Sequence, residues 1–293
     1  CLQESFTALR RLIEGVSLVK EASHRVTAQV MAFGELMLTQ LAYAYLQQQE
    51  VSSEWVDARS WLQTVEDEYA LESDRYMSAR CLGEHDEAFV EKVNQHSSSV
   101  LITQGFIACN DNNETVLLGR GGSDASAAYI SAKLAASRCE IWTDVPGIYT
   151  ANPHQIPSAR LLKSLDYDEA QEIASTGGKV LHPNCLSPLK HNTIPLHIKY
   201  TSEPDHEGTV IERDGEVVGV HIKSILTRYH LMLVSIETVR MWRQVGFLSD
   251  VFECFKQCGV SIDLVSTSQL SVTVSLDQEA ESKDPRVVER LLK

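Results

Sequence analysis

The sequence lacks long hydrophobic runs and has little positive charge. No stretch of about 18 consecutive apolar residues occurs, so we expect no membrane-spanning helix. Lys and Arg number 26 against 40 Asp and Glu, which gives a formal net charge of −14. Because nucleic acids and anionic lipid surfaces are bound through clustered cations, we expect neither nucleic acid nor membrane as a partner. The first residues also lack a basic stretch followed by an apolar one, so no secretory leader is expected.

Cysteine pairs are missing as well. The seven cysteines are an odd number without any C-x-x-C, which argues against a disulfide framework and a zinc site. We therefore expect reduced thiols and a cytoplasmic location. The chain is nevertheless long and rich in apolar residues: it has 293 residues, of which 43% are hydrophobic. These are enough for one large domain or two ordinary ones.

Short β-rich runs alternate with helical patterns over the first part of the chain. Helices are predicted at 5–20, 35–50, 84–94, 125–138, 168–174 and 179–190, and strands at 100–103, 115–118, 140–143 and 195–199. Strands that alternate with helices are typical of βαβ units. We therefore predict an α/β fold for residues 1–221, with an open, mainly parallel sheet sandwiched by helices.

The pattern changes near residue 221. The following elements are predicted as a strand at 229–235, a helix at 246–257, strands at 260–265 and 270–276, and a final helix at 285–292. The order β-α-β-β predicts a small α+β domain over residues 222–293.

The glycine-rich segment Gly119-Arg-Gly-Gly-Ser-Asp124 lies between a predicted strand and a predicted helix. Glycines let backbone N–H groups approach a ligand closely, and a helix N-terminus adds partial positive charge, so the segment suits an anion. Its spacing matches neither a Walker A loop nor a dinucleotide-binding fingerprint. Arg120 either grips a carboxylate or phosphate with its planar fork or is an ordinary surface arginine. Asp124 either serves the ligand or only caps the helix.

Three further segments carry candidate residues. Thr143 and Asp144 end a predicted strand, where open α/β sheets bind ligands, although a capping Asp before a Pro-Gly turn explains them equally well. Lys179 follows a glycine pair in Gly177-Gly-Lys-Val-Leu-His-Pro183 and suits a phosphate. Glu35 follows Gly34 at a predicted helix start, where an acid favours the helix by itself.

Taken together and in this order, the segments at 34–35, 119–124, 142–150 and 177–183 resemble the aspartokinase family of the amino-acid-kinase fold. Residues 57–59 and 103–107 are also similar to family segments, and residues 245–268 resemble the first ACT module of lysine-sensitive members. The resemblance covers nearly the whole chain from about residue 24. It implies transfer of the γ-phosphoryl group of ATP to the side-chain carboxylate of L-aspartate. The product, 4-aspartyl phosphate, starts the route towards lysine, threonine and methionine.

The resemblance also implies roles for individual residues. Glu35 would meet the α-ammonium group of aspartate, Arg120 its α-carboxylate and Ser123 its reacting carboxylate, while Asp124 and Lys179 would be catalytic. The nucleotide-binding positions would be Gly121, Gly122, Thr143, Asp144, Tyr149 and Lys179. Mg²⁺ would bridge phosphate oxygens and be held largely by the nucleotide.

The ACT resemblance implies an allosteric lysine site and a homodimer. The positions that match the site are Met241, Phe247, Leu248, Ser261, Ile262 and Asp263, with Asp263 as the partner of a ligand ammonium group. ACT modules pair through open strand edges, so we expect two copies to associate through residues 222–293.

One family segment is not found in this sequence. The family opens with a strand K-F-G-G-T-S, and these 293 residues contain no such stretch, so we expect the chain to be part of a longer protein. An alternative is a non-catalytic, amino-acid-sensing homologue. Another is a kinase of glutamate, acetylglutamate or a nucleotide such as UMP. The pairing of Glu35 with Arg120 and the ACT resemblance favour aspartate.

Overall fold

The structure is a computed structural model. It describes residues 2–65, 70–178, 180–213, 222–227, 231–238, 245–258, 260 and 262–277. The chain divides into two compact units, residues 1–226 and 227–293. No helix in the described ranges is both long and apolar enough to cross a bilayer.

The first unit mixes helices with short strands. Its α-helices are α1 Leu2–Val19, α2 His24–Gln48, α3 Glu72–Met77, α4 Glu87–Asn94, α5 Gly122–Lys133, α6 Tyr167–Ser175 and α7 Leu186–His191. Its strands are β1 Ser53–Trp55, β2 Val100–Ile102, β3 Ile107–Cys109, β4 Thr115–Leu117, β5 Cys139–Thr143, β6 Ser164–Leu165, β7 Leu196–Tyr200 and β8 Thr209–Ile211. Two 3₁₀ turns lie at Ala58–Ser60 and Pro183–Cys185.

The strands of the first unit pair in a mixed pattern. Strands β1 and β2 are parallel, and β3 and β4 form an antiparallel pair. A four-stranded sheet has the order β5-β7-β8-β6, in which β5–β7 and β6–β8 are parallel and β7–β8 is antiparallel. The α/β content is therefore as predicted, but a mainly parallel sheet is not confirmed.

Helix α5 packs between two cores through its small residues: Ala128 lies in the core of the four-stranded sheet, and Ala125 in the core that includes β3 and β4. Ala125, Ala128, Tyr129 and Ala132 are buried at positions i, i+3, i+4 and i+7, so they form one face of the helix. Alanines on this face let α5 lie close to β5, α7 and the 3₁₀ turn Pro183–Cys185. This packing fixes the N-terminus of α5, where the glycine-rich segment ends.

Three predicted helices have different bounds in the structure. Helix α2 begins at His24 behind the N-cap Ser23 rather than at residue 35, because the exposed Gly34 is tolerated inside a long helix. Helix α5 ends at Lys133 rather than Arg138, and Ala135 then takes a positive φ of 47°. The helix predicted from residue 179 is observed as the 3₁₀ turn Pro183–Cys185, whose Pro183 ring suits a first helical turn, followed by α7 from Leu186.

The second unit has the order β-α-β-β. Its elements are β9 Leu231–Glu237, α8 Phe247–Gln257, β10 Leu264–Thr267 and β11 Ser271–Asp277, with an antiparallel sheet in the order β10-β11-β9. The core joins Val251 and Phe255 of α8 to Val272, Val274 and Leu276 of β11. The strand predicted at 260–265 begins only at Leu264, and the helix predicted at 285–292 lies outside the described residues.

Candidate active site

The glycine-rich segment forms a tight turn from β4 into α5. Gly119 and Gly121 have φ values of 73° and 68°, a left-handed conformation that glycine adopts without strain. The Gly122 N–H donates to the Gly119 carbonyl oxygen at 3.0 Å, and the Ala125 N–H donates to that of Gly121 at 2.9 Å. The first turn of α5 therefore presents its remaining N–H groups at the mouth of the turn, with the positive end of the helix dipole.

The third predicted segment packs directly on this turn through His182. A Cβ atom on Gly121 would lie 2.2 Å from the His182 Cβ, so only glycine fits there. The His182 backbone N–H donates to the Asp124 carboxylate. The structure thus brings segments 119–124 and 177–183 together. Lys179 itself lies outside the described residues.

Burial shifts the pKa values of Asp124 and of the neighbouring His182. Burial raises the pKa of Asp124 above its ordinary value, although the His182 N–H and the imidazole charge partly offset this effect. Burial likewise lowers the pKa of His182, and the nearby Arg120 lowers it further. A carboxylate that has lost part of its water shell interacts strongly with a cationic group of a ligand, because the local dielectric is low.

Ser123 is exposed at the mouth of the turn and is backed by residues 104–106. A Cβ on Gly105 would lie 2.9 Å from the Ser123 Cα, so the two backbones are in close contact. The Phe106 N–H donates to the Ser126 hydroxyl at 2.9 Å, and that hydroxyl donates to the Gly122 carbonyl oxygen at 2.8 Å. The segment at 103–107 therefore supports the glycine-rich turn from behind.

Glu35 lies on α2, which is hydrogen-bonded to this support through Thr39. It is half-buried, one helical turn before Thr39, whose hydroxyl donates to the Glu35 carbonyl oxygen at 2.9 Å. The Thr39 hydroxyl also accepts a hydrogen bond of 2.7 Å from Gln104. Glu35 is thus linked to the support of Ser123. Sequence reasoning noted the segment at 103–107 but did not single out Gln104, although a lone amide between two β-rich runs was a usable signal.

Thr143, Asp144 and Tyr149 form a separate group after β5. Thr143 is the last residue of β5 and pairs with Tyr200 of β7, while its hydroxyl donates to the exposed Asp144 at 3.2 Å. Tyr149 is half-buried, and its carbonyl oxygen accepts from the Ser224 hydroxyl at 3.2 Å. Within the described ranges, no hydrogen bond or ion pair joins this group to the glycine-rich turn.

A cleft of about 850 Å³ adjoins the glycine-rich turn. Its polar lining comprises Arg80, Arg120, Gln171, His182, Asn184 and His191, among others. Of the predicted site residues that the structure describes, Arg120 lines this cleft, whereas Glu35, Ser123 and Asp124 do not. The two guanidinium groups bring positive charge to the cleft, which suits an anionic ligand, while Glu84 contributes one acid to the lining.

The predicted allosteric residues flank α8 of the second unit. Phe247 and Leu248 are in the first turn of α8, where Phe247 packs on the core and Leu248 is 40% exposed. Ile262 also packs on that core, and the exposed Asp263 donates its backbone N–H to Ser275 at 3.0 Å. Met241 and Ser261 lie outside the part of the chain that the structure describes.

Two proteins with sequences similar to this chain are named as aspartokinases. Lysine-sensitive aspartokinase 3 of Escherichia coli (strain K12) is 33% identical over 274 residues, which cover 92% of this chain and 60% of that protein. The bifunctional aspartokinase/homoserine dehydrogenase of Haemophilus influenzae is 32% identical over 276 residues, which cover 94% of this chain and 33% of that protein.

Solved structures show the same likeness. E. coli aspartokinase III in complex with aspartate and ADP has a TM-score of 0.80 and 30% identity, covering 99% of this chain and 64% of that one. The chain thus spans about 60% of the E. coli relative. The family model described as the amino acid kinase family matches residues 5–200. The chain therefore belongs to the amino acid kinase family.

Proposed function

We propose that this chain is part of an aspartate kinase, which transfers the γ-phosphoryl group of ATP to the side-chain carboxylate of L-aspartate and yields 4-aspartyl phosphate. The observation that carries the proposal is the convergence of α2 with Glu35, the segment at 103–107 and the glycine-rich turn with Asp124. The E. coli relative, whose structure contains aspartate and ADP, supports it. The reaction would be the first step towards lysine, threonine and methionine.

Each candidate site residue would bind a different group of the amino-acid substrate. Glu35 offers a carboxylate to the α-ammonium group, and Arg120 offers a bidentate fork to the α-carboxylate. Ser123 and the first N–H groups of α5 face the reacting carboxylate, where positive helix charge stabilises the developing negative charge. Asp124, held by the His182 N–H, orients these groups and attracts the ammonium group. Positioning of this kind is what phosphoryl transfer chiefly requires.

The nucleotide would lie at the carboxyl ends of β5 and β7, against Thr143, Asp144 and Tyr149, with Gly121, Gly122 and Lys179 towards its phosphates. Mg²⁺ would supply charge neutralisation between phosphate oxygens. Among the described residues, no group of three or more His, Cys, Asp or Glu side chains is placed to hold a metal ion.

The test is an ADP-release assay on the protein expressed from the full reading frame that contains this chain. Asp124→Asn should lower kcat by about 100-fold or more, because it removes the charge that orients the reacting groups. Asp168→Asn, which changes an exposed acid of α6 paired with Lys190, is the control and should leave turnover unchanged. Near-wild-type turnover of Asp124→Asn would remove its role. Turnover with glutamate, acetylglutamate or UMP but not with aspartate would refute the function.

We further propose that residues 1–221 belong to the catalytic domain and that residues 222–293 form an ACT regulatory domain that binds lysine. The E. coli structure with lysine and aspartate supports this effector. Strand β10 lies at a sheet edge and is exposed along its length, which suits pairing with a second copy. The six free cysteines of the described ranges fit a reducing, cytoplasmic location.

Calorimetry with lysine, threonine and methionine tests the effector. Lysine should give heat that Asp263→Ala abolishes, because the variant lacks the partner for the ligand ammonium group. Binding of threonine instead, or lysine binding that is unaffected by Asp263→Ala, would overturn the assignment.

A further inference from the structure

Gln104 is buried at the junction of three segments that sequence places far apart. Its side chain is only 1% exposed, yet both polar atoms are satisfied. The amide oxygen accepts from the Ala58 backbone N–H at 2.9 Å, and the amide nitrogen donates to the Thr39 hydroxyl at 2.7 Å. Because the Ala58 N–H can only donate, the orientation of the amide is fixed.

Thr39 links Gln104 to the backbone of Glu35 by hydrogen bonds. Its hydroxyl accepts from Gln104 and also from the Trp55 indole N–H at 3.0 Å. It donates to the carbonyl oxygens of Glu35 and Leu36 at 2.9 and 3.2 Å. Every hydrogen-bonding position of the Thr39 hydroxyl is therefore used, and a satisfied buried network of this kind holds one geometry. The turn of α2 that carries Glu35 is fixed by it.

On its other side, Gln104 is continuous with the support of the glycine-rich turn. The next residue, Gly105, has its backbone against Ser123, where a Cβ would approach the Ser123 Cα to 2.9 Å. Phe106 follows and donates its N–H to Ser126 of α5. A shift of Gln104 would therefore be transmitted both to Glu35 and to Ser123.

We propose that Gln104 is a positioning residue for the amino-acid substrate, since it sets the separation between Glu35 and the Ser123 turn. The inference rests on the proposed function, in which these two residues grip opposite ends of the same small molecule. Only a side chain that accepts at one end and donates at the other satisfies both Ala58 and Thr39. A hydrocarbon in its place leaves a buried N–H without an acceptor and frees the turn of Glu35.

Three variants test the role. Gln104→Leu removes both hydrogen bonds, Thr39→Val removes the acceptor of Gln104 while keeping the shape, and Thr39→Ser keeps the hydroxyl. Tyr167→Phe is the matched control, since it removes a buried hydrogen bond to Ile194 elsewhere in the first unit. Steady-state kinetics with aspartate and with ATP are measured on the protein from the full reading frame, together with thermal unfolding.

Gln104→Leu and Thr39→Val should each raise KM for aspartate about tenfold while KM for ATP stays within about twofold, because small misplacements of substrate-gripping groups are costly. Thr39→Ser should keep the wild-type KM for aspartate, because it keeps the hydroxyl. Tyr167→Phe should lower only the unfolding temperature. If Gln104→Leu does not fold, the comparison of Thr39→Val with Thr39→Ser is sufficient to test the positioning role. Equal changes in both KM values, or no change, would overturn the positioning role. A wild-type protein without aspartate turnover would instead refute the proposed function.

Discussion

Replacement of Gly121 by alanine tests whether the glycine-rich turn depends on its contact with His182. The substitution forces a side chain into a φ of 68° and brings its Cβ to 2.2 Å from the His182 Cβ. Something must move, and His182 cannot move without disturbing the N–H that it donates to Asp124.

The size of the effect follows from these two costs. A left-handed conformation costs a non-glycine residue about 1–2 kcal/mol. Loss of a hydrogen bond to a charged group costs about 1.5–3 kcal/mol more. We therefore expect Gly121→Ala to lower the free energy of unfolding by about 2.5–5 kcal/mol, which corresponds to a fall of about 5–20 °C in Tm for a domain of this size.

The assay is thermal unfolding followed by circular dichroism, with Gly15→Ala as the control. Gly15 is in the interior of α1, and no atom of the residues that the structure describes lies within 4 Å of the position that its Cβ would take. Alanine there should raise stability by up to about 1 kcal/mol through helix propensity alone. A Gly121→Ala protein whose Tm lies within about 1 °C of wild type would refute the reasoning that the contact requires glycine.

Two further predictions concern acid stability and thiol reactivity. Hydrogen bonds from the His96 imidazole and from the backbone N–H groups that follow it lower the pKa of Glu54 to about 2. The stabilisation of the fold by this carboxylate is therefore present above the ordinary pKa of 4.5 and is lost as the pH falls towards 2. Glu54→Gln should therefore lower Tm at pH 7 and converge with wild type in acid; a constant difference would contradict this. The exposed Cys254 should react with a thiol reagent before the buried Cys139 and Cys185, whose pKa values are raised by burial, as mass spectrometry after timed quenching would show. Equal rates would exclude that order.

Much of the local structure was predictable because its signals are local. The Ala-rich face of α5 and the glycine run before it predicted the strand, turn and helix that are observed around Asp124. Short strands such as β3 and β8 were missed, because three residues show no periodicity. The start of α2 was misplaced because Gly34 was interpreted as a helix boundary, whereas its position is open and tolerates the helix.

The arrangement of the candidate site was only partly predictable. Sequence reasoning could place Asp124 at a helix start, but not the burial that raises the pKa of its carboxyl group, nor the partly offsetting effect of His182, 58 positions along the chain. The predicted nucleotide residues Thr143 and Asp144 do lie at a strand end, as the pattern indicated. Their distance from the turn could not be deduced, because it depends on how β5 and α5 pack.

The sequence by itself determined the charge, the helical periods, the glycine-rich turn and the residue types that suit an amino acid and a phosphate. Local spacing and composition encode these features directly. Only the tertiary structure decided that Gln104 joins Thr39 across 65 positions and that Gly121 must lack a side chain because His182 lies against it. Such contacts arise from steric fit and hydrogen-bond satisfaction between distant segments, which no local pattern specifies.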